Sequence, residues 1–112
     1  MKKLIFLFSL FIAFQAVAQE GIRFRHCSWE EAKAMAKKEK KPIFIDFYTQ
    51  WCGPCLNMAE NIFTLGSVGN FYNDHFVCLK IDAETGEGVE LAKKYEVASF
   101  PTFVFVNPKT EK

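Results

Sequence analysis

Cys52 and Cys55 stand three residues apart in Trp51-Cys52-Gly53-Pro54-Cys55, and two thiols at that spacing can close into a disulfide and reopen. Met58, Ala59 and Ile62 follow at helical spacing, which sets Cys52 at a helix start. Unpaired amides and the helix dipole favour an anion there, so Cys52 is the expected nucleophile. Cys55, one turn in and facing less solvent, is the expected resolving thiol. Gly53-Pro54 makes the link between them tight and stiff, and Pro54 is tolerated because first-turn amides have no intrahelical partner. Rival uses of the spacing fit less well. A c-type haem site needs His after the second cysteine, where Leu56 stands. A zinc site needs two further ligands, and Cys27, Cys78, His26 and His75 form no second close pair, so no metal is expected. An inert disulfide or two idle thiols remain open on spacing alone.

The dithiol needs a scaffold, and the residues before it supply one. Ile43-Phe44-Ile45-Asp46-Phe47-Tyr48 is apolar on both faces, as in a central strand covered by helices on each side. Asp46 is its one charge, and a bare carboxylate there is costly unless partnered or protonated. Upstream, Ile22 and Phe24 alternate with Arg23 and Arg25 as in a short half-exposed strand. Ser28-Trp29-Glu30-Glu31 reads as a capping box. Trp29, Ala32, Met35 and Ala36 then share one helical face, and the lysines at 37, 38 and 40 suit a solvated helix end until Lys41-Pro42 stops it. Downstream, Val68, Phe71 and Tyr72 suggest a short amphipathic turn or helix. Strands are expected over 76–81 and 103–106, with a helix marked by Val89, Leu91, Ala92 and Tyr95 between them. This β-α-β-α-β-α-β order indicates an α/β sheet covered by helices. The last strand would sit bare at a sheet edge, which leads us to expect that the C-terminal end is missing.

The chain has 112 residues, half of them apolar and 13 of them Phe, enough for one packed domain. A formal charge of +1 argues against nucleic acid as a partner. Residues 1–18 read as an export signal: Lys2-Lys3, an apolar run over 4–14, then Ala16-Val17-Ala18 before the cut. The run is too short to span a bilayer. The domain would then cover 19–112, with 12 basic against 13 acidic residues, and work where disulfides persist.

Residues 43–55 resemble the active-site strand and motif of thioredoxins, and Tyr95-Glu96-Val97 with Ser99-Phe100-Pro101-Thr102 resembles the family segment that carries a cis-proline. The likeness runs through most of 22–106, the whole fold except the family's last strand and helix, which are the elements the resemblance implies are missing. The signal and the Lys41-Pro42 lead-in look more like exported relatives, such as the C-terminal domain of the periplasmic reductase DsbD, than like cytoplasmic thioredoxin. The resemblance implies a thioredoxin fold, a mostly parallel sheet with helices on both faces. It implies reduction of protein disulfides by Cys52 and Cys55, with Asp46 as the buried base that moves the Cys55 proton. Pro101 would lie against the dithiol, and the Phe100 backbone would pair with an extended substrate. Trp51, Phe100, Pro101 and Thr102 would make the substrate surface, Trp51 being equally readable as packing. No bound cofactor is needed, a membrane thiol reductase is the expected donor, and the protein is expected to be a monomer. An isomerase, an oxidase, or a binding or chaperone module with a vestigial dithiol are the alternatives. Two departures stand out. Leu56 replaces a lysine common in the family, and Cys78 falls where a lysine often partners the aspartate, leaving Asp46 without that cation. Cys78 reads as a buried small hydrophobe, Cys27 as an exposed residue ahead of a helix cap, and a bridge between the two, which sequence alone does not judge, is not expected.

Overall fold

The computed structural model describes residues 20–112; the expected export signal over 1–18 lies outside them. Helix α1, Trp29–Glu39, begins at the capping box: the Glu31 amide donates to Ser28 Oγ at 3.1 Å, and the Ser28 amide donates to Glu31 Oε1 at 3.4 Å. It ends where Lys40 turns left-handed. Strand β1, Ile43–Tyr48, is the middle strand, and its side chains alternate between two cores. Ile43, Ile45 and Phe47 meet Trp29, Ala32 and Ala36 of α1 together with Leu91 and Ala92. Phe44 faces the other way, where its ring lies 4.8 Å from Tyr72 and 5.3 Å from Phe105. Burying large aromatic side chains on that face is a main source of stability.

Helices α2, Gly53–Asn61, and α3, Gly66–His75, follow, then β2, Val77–Asp82, helix α4, Gly88–Lys94, and β3, Thr102–Val106. The sheet order is β2-β1-β3. Strand β2 runs parallel to β1 and β3 antiparallel. The expected strand around Ile22 and Phe24 reduces to a single parallel bridge, Phe24 to Cys78. The reason is that its backbone is shared between two partners: the Ile22 amide donates to Phe63 and the Arg25 amide to Cys78. Helix α3 is longer than the short amphipathic turn or helix expected, because Gly66 and Gly69 hide its pattern.

This topology concentrates three loops at one edge. In parallel register Tyr48 pairs with Asp82, so the loop after β2 starts beside the end of β1. Helix α4 rises only about 10 Å, and residues 95–101 bring the chain back to the edge it left. Antiparallel register then pairs Phe47 with Thr102. Residues 49–55, 82–84 and 99–102 therefore meet at the carboxyl end of β1.

Candidate active site

Cys52 is the N-cap residue of α2, extended in backbone, and its Sγ accepts the Cys55 amide at 3.1 Å. No acidic residue in the first turn of α2 opposes the positive end of the helix dipole. The two sulfurs are disulfide-bonded, with Cα atoms 5.3 Å apart, inside the usual range for such a bond. Their exposures barely differ, 6% for Cys52 and 4% for Cys55. The inequality expected of nucleophile and resolving thiol thus lies in the cap, where one sulfur receives a helix amide, rather than in exposure. A half-open cavity of about 230 Å³ reaches both cysteines and is walled by Trp51, Gly53, Leu56, Tyr48, Thr49 and Lys80 among others. A Cβ added at Gly53 would meet nothing within 4 Å, so the link between the cysteines is open on its outer side.

Trp51 is 72% exposed, which removes the packing reading. Its indole N–H donates to Glu84 Oε1 at 2.6 Å, and its ring meets Phe100 edge-on at 6.1 Å. The Phe100–Pro101 peptide bond is cis. Phe100, Pro101 and Thr102 are half-buried at the same edge, where the Thr102 hydroxyl donates to the Ser99 carbonyl. Leu56 is exposed on the first turns of α2.

Asp46 is 1% exposed, and its Oδ1 has no hydrogen-bond partner. By alternation it shares the Phe44 face of β1, the face that Met58 of α2 covers. Burial pushes its pKa up to about 6, against an opposing pull from Lys80. This corrects the expectation that Asp46 lacks a cation. Lys80 is its register partner on β2, whereas Cys78 sits opposite Phe44. Lys80 reaches outward with its ammonium 4.7 Å from the Tyr48 ring centre, so it acts through space. Lys80→Met should therefore raise the Asp46 pKa above about 6, read from the carboxyl carbon-13 shift against pH; an unmoved midpoint would show that Lys80 does not act on it.

Sequence reasoning missed Lys80, Glu84 and Thr49, the last being 2% exposed with an unpartnered Oγ1 beside the dithiol. Lys80 had a usable signal, since it alternates in phase with Cys78 along β2. The other thiols stand apart. Cys78 is buried among Phe44 and Phe63, its pKa raised to about 11 by burial, while Cys27 packs on the opposite core. The sheet separates them. His26 is exposed, and His75 is capped by the Phe71 carbonyl at 2.7 Å. Among the described residues no three His, Cys, Asp or Glu side chains gather as metal ligands would. A larger cavity of about 770 Å³ lies at the far end of the sheet, between Lys41 and Phe105, and no thiol or carboxyl lines it.

Residues 24–108 match the family described as thioredoxin-like. The chain is 42% identical over 74 residues to Thioredoxin-1 of Drosophila yakuba, which covers 66% of this chain and 64% of that protein. Among solved structures, it is similar to a protein described as a disulphide-isomerase from Bacteroides thetaiotaomicron, with 47% identity, TM-score 0.72, and 80% and 74% of the two chains covered. A thioredoxin from Thermus thermophilus matches at 29% identity and TM-score 0.70, over 82% and 69% of the chains. The chain spans between 40% and 64% of the length of these curated relatives.

Proposed function

The chain belongs to the thioredoxin-like family, and from that premise we propose that it is a thiol–disulfide oxidoreductase that reduces protein disulfides outside the cytoplasm. The observation that carries the reading is Cys52 at the N-cap of α2, disulfide-bonded to Cys55 and reached by an open cavity. In the reduced protein the Cys55 amide and the helix dipole stabilise a Cys52 thiolate. That thiolate attacks one sulfur of a substrate disulfide. The substrate bond breaks, a mixed disulfide forms, and the other substrate sulfur leaves as a thiolate and takes a proton. Cys55 then gives up its proton and attacks Cys52 Sγ, which closes the Cys52–Cys55 bond and expels the second substrate thiolate. Two electrons pass to the substrate. Asp46 is the group that holds and moves the Cys55 proton, since a carboxyl poised near 6 changes state close to neutral pH. Trp51, Phe100, Pro101 and Thr102 form the surface against which the substrate lies, with Gly53 and Pro54 keeping the link between the sulfurs short.

The two cysteines carry the electrons, so the proposal invokes no bound cofactor. Recycling requires a dithiol donor, for which a membrane thiol reductase is the class that suits an exported monomer released after residue 18. The likeness to a described disulphide-isomerase favours a second reading, in which the same dithiol rearranges bonds. The reduction potential separates the two. Equilibration with glutathione should give a value below about −230 mV for a reductant, against about −180 mV or higher for an isomerase or oxidase. Reduction of insulin should follow with the low value, and a protein that neither reduces insulin nor equilibrates with glutathione would refute both.

A further inference from the structure

Trp51 presents a physical problem at the mouth of the site. It is 72% exposed, so burial does not hold its ring, yet it is the largest apolar side chain beside Cys52. An exposed indole on a loop samples several rotamers unless something fixes it. Two interactions hold it: the edge of Phe100, at 6.1 Å, and a hydrogen bond to Glu84 Oε1, at 2.6 Å from the indole nitrogen. The second is a charge-assisted hydrogen bond, the stronger kind.

Glu84 is itself aimed. Its amide donates to Asp82 Oδ1 at 2.9 Å, a local turn of the kind Asp side chains make. The second oxygen, Oδ2, accepts from Gln50 Nε2 at 3.2 Å. The base of this loop is tied closely to β2, because a Cβ at Gly88 would come within 1.9 Å of the Asp82 carbonyl oxygen. Gln50, Asp82, Glu84 and Trp51 thus stitch the loop after β2 to the loop before the dithiol.

We infer that Glu84 is a positioning residue for disulfide exchange: it holds the Trp51 indole as a fixed platform for the segment flanking a polypeptide disulfide. This rests on the oxidoreductase reading above. A disulfide with no flanking chain has nothing to lay on the platform and gains nothing from it. A disulfide within an extended peptide does, and its affinity depends on the indole being preorganised.

The test uses the full chain, pre-reduced, in single-turnover reactions with two neutral disulfides: 2-hydroxyethyl disulfide and a ten-residue disulfide peptide with apolar flanking residues. Glu84→Ala should raise the half-saturating peptide concentration about tenfold with the maximal rate within about twofold, the lower end of what losing one charge-assisted hydrogen bond costs. Reaction with 2-hydroxyethyl disulfide should not change. Glu84→Gln keeps an acceptor oxygen and should restore peptide affinity to within about twofold of the parent. The Trp51 indole proton should lose its hydrogen-bonded shift in Glu84→Ala and regain it in Glu84→Gln. Unchanged peptide affinity in Glu84→Ala would overturn the inference, as would equal loss on both disulfides or a Gln variant as impaired as the Ala one. If the parent reacts with neither disulfide, the oxidoreductase reading fails and this inference goes with it; if the parent reacts with both and the variants match it, only the inference fails.

Discussion

Cys52→Ser is expected to lower insulin reduction by at least about a thousandfold while leaving the fold intact. A serine hydroxyl is a far weaker nucleophile than a thiolate at neutral pH and forms no bond to sulfur that a second thiol could resolve. The fold survives because the substitution suits the position. Residue 52 is the N-cap of α2, its side chain accepts the Cys55 amide, and serine is among the preferred N-cap residues. Comparison with the reduced parent keeps any contribution of the disulfide out of the measurement. Cys55→Ser should behave differently. Cys52 can still attack, but nothing closes on it, so a covalent adduct with the substrate accumulates and disperses under dithiothreitol. The pair of results assigns the two roles. Trapping by Cys52→Ser instead of Cys55→Ser would reverse the assignment, and normal insulin reduction by Cys52→Ser would remove the dithiol from the chemistry.

What the residues announced in sequence was local. A cysteine before a helical pattern, a proline in the first turn, and one carboxylate in a doubly apolar strand are each read from a few neighbours, and each stands where expected. The capping box at Ser28 is the same kind of signal. What was not legible depends on register. Lys80 faces Asp46 only because Tyr48 pairs with Asp82, and no short window of sequence states that pairing. Glu84 reaches Trp51 for the same reason, across 33 positions of chain. Ile22 and Phe24 show why alternation alone is weak. The pattern is right for a strand, but their backbone is shared between Phe63 and Cys78 and forms one bridge. Helix α3 was underestimated because Gly69 looks like a breaker. It is buried where a Cβ would lie 2.1 Å from the Glu20 carbonyl oxygen, so close approach of two backbones requires glycine there.

Asp46→Asn should make the protein more stable at pH 7 and slower at resolving mixed disulfides. In the folded chain the Asp46 pKa rises from 3.8 to about 6, chiefly through burial. Between those values the folded state binds more protons than the unfolded state, so stability falls as pH rises through that window. Above it, the folded protein carries an ionised carboxylate whose Oδ1 has no hydrogen bond. A shift of about two units corresponds to an upper value of about 3 kcal/mol, which an uncharged amide of the same size relieves. Denaturant unfolding should therefore favour Asp46→Asn at pH 7, by a margin that shrinks below about pH 6 and vanishes below pH 4. The kinetic effect has the opposite sign. Asparagine cannot accept the Cys55 proton, so release of substrate should slow about tenfold or more at pH 7, a modest loss for removal of a general base. A buried charge retained only for packing would be improved by the substitution in both respects. The combination of gained stability with lost rate is what a carboxylate kept for proton transfer predicts, and a variant as fast as the parent at pH 7 would show that Asp46 plays no part in moving the proton.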